Sequence, residues 1–149
     1  MTPTEFINRL FTALTELHPL HSMTVHFPIA LSGVALLFLV LALWRRSEAL
    51  ERAAFYNLTL AAIASIVASL TGMRDNIVRF EGEAPLANIK FFLAISLIVL
   101  SLVVVISRWR QAEVLWKPGT MVLYLLGFAG SFALAATLGF LGGVILYGF

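Results

Sequence analysis

The chain has 149 residues, 60% of them hydrophobic and 12% charged, with a mean hydropathy of +0.96. A soluble domain carries roughly 25% charged residues, so this chain lacks the polar surface to cover a water-facing globule and reads as one integral membrane domain over 1–149. The net charge of +2 excludes the basic footprint of nucleic-acid binding, and the absence of cysteine excludes disulfides, iron–sulfur clusters, thiolate zinc sites and covalent c-type haem attachment.

Residues 2–17 predict a short amphipathic helix. Thr2 suits the N-cap, Pro3 the first helical position, and Glu5 completes a capping box. Phe6, Ile7, Leu10, Phe11, Leu14 and Leu17 fall on one face, with Glu5, Asn8, Arg9, Thr12 and Glu16 opposite. So polar a segment does not cross a bilayer. It suits the membrane interface, or equally a partner-facing or bundle-capping position. The N-terminus lacks the basic start and short apolar core of a cleavable signal peptide, so the first span is expected to act as its own signal.

All three histidines then fall within His18-Pro19-Leu20-His21-Ser22-Met23-Thr24-Val25-His26-Phe27-Pro28. Pro19 is expected to stop the first helix near Leu17. The two prolines predict a bent segment in which the three rings converge. Four uncharged spans follow, at about 27–44, 54–73, 91–108 and 120–147. Trp44 with Arg45-Arg46, and Arg108-Trp109-Arg110, mark membrane boundaries. The connection 45–52 is short, 74–90 is a polar loop, and Trp116-Lys117-Pro118-Gly119 is an interfacial turn. The runs are too long, and lack the period-two alternation, for a β-barrel. The fold class is therefore all-α integral membrane: a four-helix up-down bundle with an N-terminal interfacial helix. The side with the first and third connections carries Arg45, Arg46, Arg52, Arg108, Arg110 and Lys117, six Lys and Arg against four on the other side, Arg9, Arg74, Arg79 and Lys90. This bias predicts both termini and the histidines on the non-cytoplasmic face.

Lipid tails are as apolar as leucine, so close approach of small residues must drive helix association. Gly127, Ser131, Ala135, Gly139 and Gly143 recur every four residues in the last span, and Ala61, Ser65 and Ser69 in the second. These stripes are expected to meet each other, or one of them a neighbouring subunit. Asn57 is expected to donate a hydrogen bond between helices. No ionisable residue lies mid-span, which argues against a transporter or channel.

Neutral imidazole ligates haem iron, zinc, copper or chlorophyll magnesium. His26 suits one axial position of a haem b, supported by His21 and His18, with Met73 or Met23 opposite; a (bacterio)chlorophyll needs only one histidine. A metal ion would call on His18, His21 and His26 with Asp75, and with Glu81 on the same side. Alternatively, the imidazoles hydrogen-bond free carbonyls, helix-end N–H groups or lipid headgroups at the polar–apolar boundary.

His18-Pro19-Leu20-His21-x-Met23-x-Val25-His26-Phe27-Pro28-Ile29-Ala30-Leu31, Thr71-Gly72-x-x-Asp75 and Gly142-Gly143-x-x-x-Tyr147-Gly148 together resemble motifs of the small four-helix bacterial membrane family catalogued as domain of unknown function 2231, over about residues 17–148. The resemblance implies the bacterial inner membrane, a redox setting and b-haem. The sequence departs from the family pattern at Ser22, usually proline, at Ala87–Phe91, where a histidine is usual, and at Phe149, before the family's C-terminal histidine. Those two histidines are the ones best able to face His26, so the departures favour a non-catalytic accessory subunit of a respiratory or photosynthetic electron-transfer complex. The alternative is a redox protein binding haem b or another tetrapyrrole through His26. The partners expected are lipid and other membrane subunits; no enzyme activity is expected.

Overall fold

The computed structural model describes residues 1–13 and 20–147. Leu14, Leu17, His18 and Gly148, on which some of the expectations above fall, lie outside the described residues. The described residues form six helices: α1 (Pro3–Thr12), α2 (Leu20–Thr24), α3 (His26–Arg45), α4 (Glu48–Phe80), α5 (Ala87–Arg110) and α6 (Pro118–Tyr147). α1 opens with the expected capping box: Thr2 Oγ1 accepts from Glu5 N–H, and Glu5 accepts in return from Thr2 N–H at 2.9 Å. None of its residues is buried.

The spans run further than hydropathy indicates. α4 has 33 residues and includes both Glu51 and Asp75, which the sequence reading assigned to connections. Ser47 caps its start by accepting from Leu50 N–H, Glu48 and Glu51 stand in the first turn, and Glu81 ends it with φ 54°. Glu51 and Asp75 are 24 residues apart in α4, about 36 Å at 1.5 Å per residue. That distance slightly exceeds the ~30 Å hydrocarbon core of a bilayer. Residues 53–73 between them are uncharged, so the ionic groups of α4 stand at the two boundaries of the membrane.

The expectation at Pro28 also changes, while Pro19 lies outside the described residues. α2 is a helical turn that leads almost directly into α3, with Val25 at φ −65°, ψ −22° between them. The interruption falls where Pro28 has no N–H to offer the Thr24 carbonyl four residues back, and in the first turn of α3 that missing donor leaves no bond unmade. His21 and His26 therefore sit five residues apart on a nearly continuous helical path and diverge rather than converge. His21 is half-buried; His26 is exposed.

In the bundle, α4 packs on α3 and α5, and α6 packs on α5 and α3, so α4 and α6 lie diagonally. The expected meeting of the two small-residue stripes does not occur. Short connections make sequence neighbours into spatial neighbours, and the first and last spans close the ring. The stripe of α6 serves both α5 and α3. A Cβ on Gly127 would overlap Val104 of α5, and one on Gly139 would come within 2.5 Å of Ile29 Cδ1 of α3. Ser101 Oγ of α5 donates to Ser131 Oγ of α6 at 3.2 Å. Gly143, at the far end, has nothing among the described residues within 4 Å of such a Cβ. Asn57 bonds Ala53 O of its own helix at 2.9 Å, not a neighbouring helix.

One end of the bundle holds the densest packing. Leu39, Ala42, Ala54, Leu58 and Phe128 are buried there together with Val114 and Leu115, which the α5–α6 connection inserts. Thr120 Oγ1 holds that connection by donating to Val114 O at 2.6 Å. Glu51, 1% exposed, accepts from Arg108 Nε and, at 2.9 Å, from Arg108 Nη2. Tyr124 Oη donates to Glu51 Oε1 at 3.4 Å. Mid-span positions stay free of charge as expected, but these two connection charges prove to be buried against each other. Trp44 and Trp109, 73% and 82% exposed, ring this end as an aromatic belt.

Candidate functional site

The opposite end is where α2 docks. On α4, Ala68, Thr71, Gly72 and Asp75 recur at i, i+3, i+4 and i+7, which places them on one helix face. Every one of the four meets α2. The ring of His21 lies on Gly72, where a Cβ would come within 2.9 Å of Nδ1, so only glycine admits the imidazole at this distance. His21 Nδ1 lies 2.8 Å from Ala68 O. A carbonyl oxygen only accepts, so Nδ1 carries the proton and Nε2 is left with the lone pair when the ring is neutral. The backbone N–H of His21 donates to Asp75 Oδ2 at 2.9 Å, and Arg74 Nη1 donates to Asp75 Oδ1 at 2.8 Å. Both oxygens of this buried carboxylate are thereby engaged. Thr24 Oγ1 and Thr71 Oγ1 share a hydrogen bond of 2.8 Å.

α5 and α6 complete the end. Lys90, in the first turn of α5, is half-buried and acts electrostatically on His21. Its Nζ lies 3.7 Å from where a Cβ on Gly142 of α6 would stand. The three sequence motifs, widely separated along the chain, are therefore brought to one place: His21 and Thr24 from the first, Thr71, Gly72 and Asp75 from the second, and Gly142 from the third.

The family model described as Predicted membrane protein (DUF2231) matches residues 17–149. The chain belongs to the DUF2231 family. No curated protein and no solved structure matches it. In this DUF2231 protein the family's expected architecture is present, with four helices long and apolar enough to cross a membrane.

The candidate ligands are distributed unevenly. His21 and Asp75 come together, though through the His21 backbone. His26 is exposed beside a shallow hollow lined by Phe27, Ala30 and Leu31. Met73 and Met23 are 54% and 55% exposed. Glu81 is exposed beyond the end of α4. His18 lies outside the described residues. Among the described residues no three His, Asp or Glu groups are placed to hold a metal ion. His26 and Met73 are both exposed, and the His21 ring is turned onto α4. His21 itself follows the carbonyl-bonding reading. Lys90, Glu51, Arg108 and Tyr124 were not singled out from the sequence. Their only signal is that each lies within two turns of a helix end, alongside residues from other spans that end on the same side.

Gly72→Ala tests the docking of α2. The added methyl displaces the imidazole and breaks the bond to Ala68 O, while α4 keeps its helical propensity. Amide hydrogen exchange over residues 20–25 is expected to accelerate at least about tenfold, the loss of one net hydrogen bond of about 1.5 kcal/mol. Unchanged exchange in this segment would show that the His21 contact does not hold α2.

Proposed function

We propose that this DUF2231 protein is a non-catalytic integral subunit that joins a larger respiratory or photosynthetic electron-transfer assembly in the bacterial inner membrane, with both termini on the non-cytoplasmic side. The observation that carries the reading is Gly143. The small-residue stripe of α6 serves α5 at Gly127 and α3 at Gly139, but continues to Gly143, where nothing among the described residues approaches. Small residues on a membrane helix let another backbone come close. The polar groups nearby join helix to helix within the chain, which favours a scaffolding role over chemistry.

Purification at native expression level in mild detergent tests it. The protein is expected to elute with other membrane subunits, and Gly143→Leu to release them while leaving its own thermal unfolding unchanged. Elution as a lone 16.4 kDa chain in its micelle refutes the proposal.

A second reading rests on the apolar hollow beside His26. An exposed imidazole with Phe27, Ala30 and Leu31 next to it suits a tetrapyrrole that needs one protein ligand and lies partly in lipid. A Soret band that disappears in His26→Ala supports this reading. Colourless protein from cells supplied with haem and from a chlorophyll-making host eliminates it.

A further inference from the structure

At the α2 end of the bundle, no acidic group among the described residues is paired with Lys90. Arg74 is paired with Asp75, and the second oxygen of Asp75 is taken by the His21 N–H. Glu81 and Glu83 are exposed in the turn beyond α4. Lys90 is half-buried, yet among the described residues its ammonium has no hydrogen-bond or ion-pair partner. The His21 imidazole, on which it acts electrostatically, adds no negative charge. Its position in the first turn of α5 puts it at the positive end of that helix, so its own backbone does not offset the charge either. An ammonium withdrawn from water without an anion is unfavourable.

The surroundings say what kind of anion would fit. Gly142 carries no side chain, and the space its Cβ would begin to fill lies beside Lys90 Nζ. Lys90 offers up to three donors as a compact point charge, a form of recognition suited to phosphate oxygens. Lys90 stands 18 residues along α5 from Arg108, the partner of Glu51, about 27 Å at 1.5 Å per residue, so it lies at the edge of the ~30 Å hydrocarbon core with its long side chain within reach of phospholipid phosphates. We infer that Lys90, on the open side of Gly142, forms a binding site for an anionic phosphate group. A lipid headgroup and free phosphate share this chemistry.

The test uses the full-length protein in detergent, with two arms. Native mass spectrometry compares retention of phosphatidylglycerol and phosphatidylcholine, and thermal unfolding is followed with inorganic phosphate added in the absence of anionic lipid. Wild type is expected to prefer phosphatidylglycerol by about fivefold, the contribution of one interfacial lysine. Lys90→Met and Lys90→Gln are expected to abolish the preference. Lys90→Arg, and Lys117→Met at the opposite end, are expected to retain it. Stabilisation by inorganic phosphate that is lost in Lys90→Met supports the same site with free phosphate as its ligand. Retention counts only folded ions, so a poorly folding variant still reports on binding. Equal retention of the two lipids by wild type together with no phosphate effect overturns the inference, as does a preference that survives in both neutral variants.

Discussion

Glu51→Ala is expected to lower the stability of the folded bundle by about 3–5 kcal/mol, the usual loss when one partner of a buried ion pair is removed. Glu51 is 1% exposed, and the Arg108 side chain 16%. The guanidinium forks onto both carboxylate oxygens and lies 5.5 Å from the Phe55 ring centroid. Tyr124 adds a third donor from α6. Three of the four spans are thus joined through one carboxylate, and its removal leaves a buried guanidinium with no counter-charge. Arg108→Met is expected to be equally harmful, because it leaves the carboxylate in the same position. The double variant Glu51→Met with Arg108→Met is expected to recover most of the loss, since an apolar pair of similar volume replaces a buried ion pair at little net change. Unfolding in mixed micelles, followed by tryptophan fluorescence, gives the full double-mutant cycle. Strictly additive losses would show that the two side chains act independently and that the clamp is misread.

Gly127→Ala is expected to cost about 1–3 kcal/mol, the range for overpacking a well-filled interior. The added methyl would overlap Val104 Cγ2. Val104 is 5% exposed and β-branched, so it has few rotamers into which to retreat. The backbones of α5 and α6 must then separate, which also strains the Ser101–Ser131 hydrogen bond one turn further along. Val104→Ala placed beside Gly127→Ala is expected to restore most of the stability by making room for the new methyl. Gly143→Ala is the contrast: nothing stands within 4 Å of its Cβ, so the same change leaves unfolding of the isolated protein where it was. Equal losses at Gly127 and Gly143 would mean that the effect does not come from the Val104 contact, since alanine has the higher helix propensity at both positions.

These two positions show unequal legibility in the sequence. Gly127 belongs to a four-residue repeat, and the repeat correctly marked a helix surface built for close approach. It did not reveal the neighbour, because small residues lower a barrier without selecting which helix takes advantage. Glu51 was read as a charge in a short connection. The Ser47 cap extends α4 back past it, and only the arrival of Arg108 from α5 makes it an interior group. At the other end, Thr71-Gly72-x-x-Asp75 was visible as a motif, and so was the histidine segment. That one docks on the other follows from the face formed by Ala68, Thr71, Gly72 and Asp75, a pattern legible only once α4 is known to continue to Phe80.

By itself the sequence determined that this is a membrane protein with four crossing helices, a capped amphipathic helix before them and ionic residues kept to the boundaries. Those properties depend on runs of residues and on local hydrogen bonds, and each segment carries them alone. Tertiary structure decided that α4 and α6 are diagonal, that Glu51 faces Arg108, that His21 turns onto Ala68 while His26 faces outward, and that Lys90 meets no counter-ion among the described residues. In a water-soluble bundle an apolar stripe announces the inward face of each helix. In lipid both faces are apolar, so the lateral arrangement is set by shape and a few polar contacts that exist only when the helices stand side by side.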